Sequence, residues 1–378
     1  MKKSAVLSWL CLSLIVAQAM PAHHAQQRSA TPQISEFPDW KTNTEKRSID
    51  LDDLISPGMP KDGIPSIDHP KFVTVEAARS WISPTEPVIA LNVNRIARAY
   101  PLQILIWHEV CNDQIGPTPV VITFCSICNS AIVFKRSISR RVLSFGISGF
   151  VHGANMVLYD RETESWWQQF TGKAIVGDLT GSKLIRLNAQ MISFSQFSSA
   201  FPAGQVLSRQ TGFVRDYGRN PHLRYDNPRG TPNHFRGKPD KRLTPMERVI
   251  GVEIGEQARA YPYSITAARR VTYDTIGSQE LVIFHAEGAT SALDADELKK
   301  SREVGSTGVF DPRVDGRRLD FAYSNGEFVD AQTGSHWNIV GKAVEGPLKG
   351  KMLNPLAHGD YFAFAWLAFK PSTDIFHN

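Results

Sequence analysis

The stretch VIALNVNRIARAYP, residues 88–101, recurs later in the chain as VIGVEIGEQARAYP, residues 249–262. The match continues without a gap to residue 131, which aligns with residue 292. A second match joins DRETESWWQQFTGKAIVGDLTG, from Asp160, to DAQTGSHWNIVGKAVEGPLKG, from Asp330. Self-similarity of this kind is typical of repeated structural units. The sequence therefore predicts two related modules in tandem, produced by an internal duplication.

The two copies differ at residues that carry chemistry. Ala286 and Ala289 stand in the second copy where the first has Cys125 and Cys128, and an arginine replaces His108. Glycine, proline and apolar positions persist in both copies. This contrast predicts that the second module keeps the scaffold and that any reactive site lies in the first.

Length and composition indicate a globular protein. The chain has 378 residues, of which 42% are hydrophobic and 21% charged, enough for two domains with cores of their own. The net charge of +5 is small for this length, and no stripe of Lys and Arg with interleaved aromatic residues is present. Binding to nucleic acid is therefore not expected.

The N-terminus has the pattern of a secretory signal peptide. Lys2 and Lys3 precede an apolar run over residues 5–17, and the small-residue triplet AQA follows at residues 17–19. The run is too short to span a bilayer, and no later stretch is apolar enough to do so. We therefore expect a signal peptide at residues 1–25, a periplasmic or secreted protein, and no transmembrane segment in the mature chain.

The rest of the chain divides by its proline and glycine content. Residues 26–85 predict a Pro-rich lead-in, residues 86–210 the first module, residues 211–247 a turn-rich linker, and residues 248–378 the second module. Apolar runs with β-branched residues predict strands at 88–93, 120–124, 131–134, 142–145 and 156–159. Short helices are predicted at 75–82, 101–107 and 193–200. The fold class predicted is α+β and β-rich.

Several motifs together resemble a known family. They are PLQILIWHEVCNDQIG from residue 101, VVITFCSICNSAIVFKR from residue 120, LSFGISG from residue 143 and HGDYFAFAWLAFKPST from residue 358. These segments resemble the bacterial domain-of-unknown-function family 3179, some members of which carry selenocysteine in the two-cysteine motif. The resemblance implies an extracytoplasmic protein with a redox role at Cys125 and Cys128. Cys111 departs from the family pattern, which has an apolar residue there.

Cys125 and Cys128 have the spacing of a redox-active pair. Two cysteines separated by two residues recur in enzymes of thiol–disulfide exchange. The run that follows them, residues 131–134, predicts a strand, so the motif is expected in a hairpin tip and not at the start of a helix. Cys125 is expected to be the exposed nucleophile and Cys128 the resolving thiol. A lowered thiol pKa would then come from nearby cationic or histidine side chains, which are His108, Lys135, Arg136 and Arg140.

Two further interpretations stay open. His108 and Cys111, followed by Cys125 and Cys128, have the pair-plus-pair layout of a four-ligand zinc or copper(I) site. Alternatively, the chain is a non-catalytic binding module in which aromatic residues such as Trp166 and Trp167 recognise a ligand. The cysteine pair could then also be an inert structural disulfide. No flavin, nicotinamide or haem motif occurs in the sequence. On the redox interpretation the partner is a protein or small-molecule thiol or disulfide, and His108 joins the pair in catalysis.

Overall fold

The computed structural model of the protein describes residues 40–377, so the predicted signal peptide lies outside the described residues. Strands hold 42% and helices 12% of the residues, which confirms the prediction of a β-rich fold. Within the described part, none of the helices is both long and apolar enough to cross a membrane. The described residues belong to one compact unit.

Strands and short helices alternate up to the linker. In chain order they are β1 (Leu54–Ile55), β2 (Phe72–Thr74), α1 (Val75–Ala78), β3 (Pro87–Val93), β4 (Ile96–Pro101), α2 (Leu102–His108), β5 (Val110–Ile115), β6 (Thr118–Cys125), β7 (Ser130–Lys135), β8 (Ser137–Ile138), β9 (Arg141–Val142), β10 (Phe145–His152), β11 (Asn155–Asp160), β12 (Trp166–Gln168), β13 (Lys173–Val176), β14 (Ile185–Leu187), β15 (Ala189–Ser193), α3 (Phe194–Ala200) and β16 (Gln205–Leu207).

The remaining elements follow the linker, which contains neither helices nor strands of its own. They are β17 (Arg248–Ile254), β18 (Gln257–Pro262), α4 (Tyr263–Arg269), β19 (Val271–Ile276), β20 (Gln279–Ala286), β21 (Ser306–Asp311), β22 (Arg313–Val314), β23 (Arg317–Arg318), β24 (Phe321–Ser324), β25 (Glu327–Asp330), β26 (His336–Trp337), β27 (Ala343–Glu345), β28 (Asn354–Pro355), β29 (His358–Phe362), α5 (Ala363–Phe369) and β30 (Asp374–Ile375).

Three larger sheets form before the linker, with strand orders β14-β7-β6-β5, β15-β3-β4-β16-β2 and β1-β10-β11-β12-β13. The sheets after the linker have the orders β19-β20-β21-β28, β29-β17-β18-β30 and β24-β25-β26-β27. The strand orders correspond in pairs. The order β19-β20-β21-β28 follows the same path as β5-β6-β7-β14, β29-β17-β18-β30 the same path as β15-β3-β4-β16, and β24-β25-β26-β27 the same path as β10-β11-β12-β13. The hairpin β3–β4 pairs Val88 with Pro101, and the hairpin β17–β18 pairs Val249 with Pro262.

Local sequence explains the hairpin that opens each half. Asn94 and Arg95 form the two-residue turn between β3 and β4, and both have positive φ, 52° and 65°. A turn with two such residues matches the twist of antiparallel strands. Pro101 then ends β4 and precedes α2, since proline is tolerated at a helix start but not in its interior. The helix ends at Glu109, whose φ is 57°.

The two halves share their cores. Phe170 of the first half stacks on Phe369 of the second, with 4.4 Å between ring centroids, and also lies 4.8 Å from the ring of Tyr361. Phe194 and Phe197 of α3 belong to the same apolar cluster as several buried residues of the second half. Burial of aromatic rings at this junction stabilises one half against the other.

The lead-in contributes to the sheets of the first half. Leu54 and Ile55 form β1, which pairs with β10 at Val151. Ile67 forms a bridge to Cys111 in β5. These apolar residues are buried, so the described part of the lead-in packs into the fold despite its prolines.

Sequence patterns located most of the predicted elements and misjudged two. Strand and helix predictions around 88–93, 120–124, 131–134, 101–107 and 193–200 are confirmed within one or two residues at their ends. The single strand predicted at 142–145 is wrong, because β9 ends at Val142 and β10 begins at Phe145. The helix predicted at 75–82 is shorter than expected. It is capped by the Thr74 hydroxyl, which accepts from Ala77, and ends at Ala78.

Candidate functional site

The cysteine motif forms the loop between two antiparallel strands. Cys125 is the last residue of β6, residues 126–128 form one turn of 3-10 helix, and Ser130 begins β7 opposite Cys125. Asn129 closes the loop in the left-handed conformation, with φ 52°. The prediction that the motif lies in a hairpin and does not open an α-helix is confirmed.

Both thiols are buried. Cys125 is 1% exposed and Cys128 is 0% exposed, so the prediction that Cys125 is an exposed nucleophile is wrong. The reason is that β6 lies between β5 and β7, and the main chain of Met156 in β11 contacts the Cys125 sulfur with its N–H. All three cysteines of the described chain are free thiols.

A buried network of neutral polar groups surrounds the Cys128 sulfur. Asn155 Nδ2 donates to Cys128 Sγ across 3.0 Å, and Ser130 Oγ lies 3.1 Å from the same sulfur. Gln169 Oε1 accepts from Asn155 Nδ2 at 2.6 Å and lies 2.9 Å from the Ser130 hydroxyl, whose one proton goes either to this oxygen or to the Cys128 sulfur. Gln169 Nε2 in turn donates to Thr123 Oγ1 at 2.8 Å. The network fixes the amide of Asn155 so that its N–H points at the sulfur.

This network separates the acidities of the two thiols. Burial by itself raises the pKa of Cys128, but hydrogen bonds from Cys125, Ser130 and Asn155 outweigh it, so the pKa of Cys128 is lowered. Burial, the hydrogen bond to Cys128 and the charge on Cys128 raise the pKa of Cys125 well above its ordinary value. Hydrogen bonds to a charged group favour its charged form. Cys128 is therefore the thiol that ionises more easily.

The lowered pKa of Cys128 does not come from the cationic side chains that the sequence suggested. Arg136 donates to the main-chain oxygens of Leu143 and Asp113, at 2.8 and 3.3 Å. Lys135 belongs to β7, where it pairs with Ile185 of β14, and Arg140 is exposed. The donors that stabilise Cys128 are neutral amide, hydroxyl and main-chain groups.

His108 is held by other partners. Its Nδ1 lies 2.7 Å from the Pro65 carbonyl, and its Nε2 lies 2.6 Å from the Tyr217 hydroxyl. Because a carbonyl oxygen can only accept, Nδ1 carries the proton and Nε2 accepts from Tyr217. Burial lowers the pKa of His108. With both nitrogens occupied, His108 joins the linker to α2, and the structure does not bring it to the sulfurs as a proton acceptor.

The other predicted metal ligands do not gather at the pair. Cys111 lies in β5 with 0% exposure, and burial raises the pKa of its thiol well above the ordinary value. Within residues 40–377, no group of three or more His, Cys, Asp and Glu side chains is arranged to hold a metal ion. The structure thus does not bring His108 and Cys111 into one ligand set with Cys125 and Cys128.

The aromatic pair Trp166 and Trp167 is not a binding surface. Both side chains are 0% exposed. Trp167 Nε1 donates to Asp160 Oδ2 at 2.8 Å, and Trp337 Nε1 makes the same bond to Asp330 Oδ2 at 2.9 Å in the second half. Trp167 and Trp337 are therefore buried core residues with equivalent hydrogen bonds.

Glu109 is a member of the site that the sequence did not identify. Its main-chain oxygen accepts from the Phe124 N–H at 2.8 Å, which places it beside the end of β6. Its side chain is buried, and burial raises its pKa to about 7. Its charge is among the influences that raise the pKa of Cys125. The available signal was a difference between the two aligned segments, because Arg270 stands at the position aligned with Glu109.

Ser130, Asn155 and Gln169 were also missed. Ser130 persists as Ser291 in the second half, so comparison of the copies gave no reason to select it. Gln169 aligns with Ile339, so the second half has an apolar residue there, just as it has Ala286 and Ala289 at the positions aligned with the cysteines. The polar network and the thiols therefore occur together in the first half.

The linker covers the cysteine loop. The Tyr225 hydroxyl donates to the carbonyl oxygen of Ile127, which lies between the two cysteines, at 2.7 Å. The next residue, Asp226, is 0% exposed and accepts from Arg248 Nη2 and Arg302 Nη2, both at 2.6 Å. Tyr225 is thus anchored to the second half while it contacts the loop of the first.

Fold and site together define a class: a β-rich protein whose paired halves enclose a cysteine pair in a neutral hydrogen-bond network. Residues 61–373 match the family model described as Protein of unknown function (DUF3179), and the chain belongs to that family. No curated protein and no solved structure matches the chain.

Replacing Asn155 tests why the pKa of Cys128 is lowered. Asn155→Leu is expected to raise the pKa of Cys128 by roughly one to two pH units, because a hydrogen bond to a charged group contributes about 1.5–3 kcal/mol. The pH dependence of thiolate absorbance, measured on a Cys125→Ser background, gives the value. Asn220→Leu, a buried amide in the linker, serves as the matched control and should leave the pKa of Cys128 unchanged. An equal effect of both substitutions contradicts the assignment.

Proposed function

We propose that the protein is a thiol–disulfide oxidoreductase in which Cys128 is the nucleophile and Cys125 the resolving thiol. The observation that carries this proposal is the Asn155 Nδ2 to Cys128 Sγ hydrogen bond of 3.0 Å in a site closed to solvent. A buried inert thiol gains little from a dedicated donor, whereas a thiolate needs one. The free state of both cysteines fits the reduced form of such a pair.

The proposed exchange transfers two electrons from the cysteine pair to a partner disulfide. The Cys128 thiolate attacks one sulfur of a partner disulfide, a Cys128–partner bond forms, the partner disulfide breaks, and one partner thiolate leaves. Cys125 then loses its proton and attacks the Cys128 sulfur, which forms the Cys125–Cys128 bond and releases the second partner thiolate. Both leaving thiolates end as thiols, so the protein is oxidised by two electrons and the partner is reduced by two.

Glu109 is the proposed proton acceptor for Cys125. It lies next to the end of β6, is buried, and has a pKa of about 7, so it changes protonation state near neutral pH. A carboxylate there raises the pKa of the Cys125 thiol in the resting state. Uptake of the proton by Glu109 would allow Cys125 to act as a nucleophile after the mixed disulfide has formed.

Stability measurements test the state of Glu109. Its folded pKa of about 7 lies above the ordinary value of 4.5, so its contribution to stability is fully present below pH 4.5 and lost as pH rises through 7. Glu109→Gln should therefore stabilise the protein at pH 8, relative to pH 5, by on the order of 3 kcal/mol. Urea denaturation of both proteins at the two pH values gives the difference. A variant effect that is the same at pH 5 and pH 8 excludes a buried titrating Glu109.

We also propose that the protein arose by an internal duplication and that it is periplasmic or secreted. Equal residue spacing between the paired hairpins, and the equivalent bonds of Trp167 and Trp337, support an internal duplication after which the second half lost the cysteines. The N-terminal pattern of residues 1–25 supports a periplasmic or secreted location. In such a compartment the partner is a disulfide-bearing protein or small molecule.

Oxidised glutathione provides the direct test of the exchange. The reduced mature protein should release two molecules of glutathione per chain, and Cys111→Ser should behave the same way. Cys125→Ser should stop after the first step and retain one glutathione on Cys128, visible as a mass adduct. Release of glutathione by the Cys125→Ser/Cys128→Ser double variant at the rate of the parent protein rules the proposal out. A gain of zinc or copper mass that depends on the pair would favour the metal-binding alternative.

A further inference from the structure

The linker between the two halves carries most of the chain's excess positive charge. Residues 211–247 contain eight Lys and Arg and four Asp and Glu, so they account for +4 of the formal net charge of +5. The other residues together are therefore nearly neutral. A local excess of charge attracts partners of the opposite sign and speeds their association.

The part of the linker next to the cysteine loop has cations without acidic partners. We call residues 224–236 the basic loop. Arg224, Arg229 and Arg236 are exposed, and none of the three makes an ion pair within residues 40–377. The one carboxylate of the segment, Asp226, has a buried side chain and already pairs with two arginines outside the loop. The exposed charge of the basic loop is therefore entirely positive.

The basic loop contacts the one part of the cysteine motif that is not buried. Within residues 125–129 that part is Ile127. The Tyr225 hydroxyl donates to the Ile127 carbonyl oxygen at 2.7 Å and accepts from the Asn233 N–H at 3.2 Å, so residues 225–233 close into a loop beside it. Burial raises the pKa of Tyr225, and the nearby thiols Cys128 and Cys125 raise it further. A partner on the basic loop thus lies beside the pair.

The cations of the basic loop are spread along it and do not converge on one point. The main-chain N–H of Arg224 donates to the Asp294 carbonyl oxygen in the second half at 2.8 Å. Arg236 Nη1 donates to the main-chain oxygen of Asp52 in the lead-in at 2.7 Å. A single phosphate or carboxylate group is bound by donors that converge on it. Separated cations fit a chain of several acidic residues instead.

Exposed apolar side chains lie in the same linker. Of the seven large apolar side chains exposed within residues 40–377, three are Phe213, Val214 and Leu223. Leu223 is 55% exposed and directly precedes Arg224. Protein–protein interfaces combine apolar contacts with a polar rim. Binding to a membrane surface typically uses an amphipathic helix, and the linker has none. These features favour a polypeptide partner.

We propose that the basic loop is the docking surface for an acidic polypeptide segment, which carries the disulfide that Cys128 and Cys125 reduce. This inference rests on the thiol–disulfide function proposed above and adds the chemical class of the partner. The arginines attract Asp and Glu side chains near the partner's cysteines, and Leu223 contacts an apolar residue among them. The bonds formed and broken are those of the exchange already described.

Two disulfide-bridged peptides of equal length test the proposal, one with Glu and the other with Lys beside its cysteines. The Glu peptide should oxidise the full mature protein at least about threefold faster than the Lys peptide, and this advantage should shrink as NaCl rises from about 50 to about 500 mM. Binding is measured separately on Cys125→Ser/Cys128→Ser, which cannot exchange, by fluorescence anisotropy of the labelled peptides. The Glu peptide should again bind more tightly.

Replacing two arginines of the basic loop should remove the preference. Arg224→Gln/Arg229→Gln should lower the advantage of the Glu peptide by about threefold or more. The matched control is Arg317→Gln/Lys349→Gln, which removes the same charge from two exposed cations outside the linker that make no ion pair within residues 40–377. The control should keep the full preference.

Hydroxyethyl disulfide, which is uncharged, separates docking from chemistry. If it oxidises the pair but the two peptides bind and react equally, the docking surface is excluded and the thiol–disulfide function stands. If neither this compound nor the peptides oxidise the pair, the function fails and this inference fails with it. An equal loss of preference in both double variants overturns the inference, as does tighter binding of phosphatidylglycerol vesicles than of the Glu peptide.

Discussion

Cys125→Ser is expected to leave a thiol at Cys128 that reacts with iodoacetamide at pH 7 at least about tenfold faster than the Cys125 thiol that remains in Cys128→Ser. The reacting species is the thiolate, and each pH unit between two pKa values changes its fraction about tenfold. The pKa of Cys128 is lowered by its hydrogen bonds, and that of Cys125 is raised by burial. The serine that replaces Cys125 keeps a donor next to Cys128.

Comparing the two variants separates the ionisation of each thiol from its accessibility to iodoacetamide. Both thiols lie in one loop under the same cover, so opening of the structure affects both variants. Peptide mapping by mass spectrometry assigns each adduct and excludes a contribution from Cys111. In urea the two thiols should react at nearly equal rates. If Cys125 reacts as fast as Cys128 in the native protein, the network around Asn155 does not set the order of the pair.

The second large effect is expected at the linker anchor. Arg248→Met should destabilise the protein by about 3–5 kcal/mol, because it leaves the buried carboxylate of Asp226 without one of its two cations. The side chain of Asp226 is 0% exposed, and Ser291 donates to the same carboxylate at 2.6 Å. Burial raises the pKa of Asp226, but Arg248 and Arg302 outweigh it, so its pKa is lowered.

An exposed ion pair provides the matched control. Lys46→Met removes the partner of Asp178, and the two side chains are 58% and 56% exposed, so the substitution should destabilise the protein far less than Arg248→Met does. Urea denaturation measures both. Replacing Asp226 and Arg248 together by apolar residues should recover a large part of the loss. Equal costs for Arg248→Met and Lys46→Met would show that the linker anchor contributes no more than a surface pair.

Loss of the anchor has a consequence for the thiols. Tyr225, next to Asp226, donates to Ile127 in the cysteine loop. Arg248→Met should therefore also increase the alkylation rate of Cys128 in the native protein. On the proposed redox function, we expect a partner to reach the buried pair where Tyr225 contacts the cysteine loop.

Local patterns made the hairpin predictable. The β-branched run before Cys125 and the apolar run after Asn129 are complete signals for two strands, which the four-residue loop 126–129 joins. The repeated residues 88–101 and 249–262 likewise identified equivalent hairpins. These features depend on neighbours in sequence, which is why sequence patterns alone located them.

The environment of the thiols depends on distant residues. Asn155 is 27 positions from Cys128, and Gln169 is 39 positions from Ser130. Nothing near the motif indicates that β11 would place an amide at the sulfur. Sequence neighbours such as Arg136 and His108 were selected instead, and both have other partners. Glu109 could have been found, since the position aligned with it is Arg270, just as the positions aligned with the cysteines are alanines.

The central claim is that Cys125 and Cys128 interconvert between dithiol and disulfide. The most direct measurement is the intact mass of the mature protein under native, non-reducing conditions, across a series of glutathione redox buffers. We predict that the protein reversibly loses two hydrogens, that the loss maps to the peptide containing both cysteines, and that it is absent from Cys128→Ser. A pair that stays reduced in every buffer, or bound metal mass that disappears in Cys128→Ser, would contradict it.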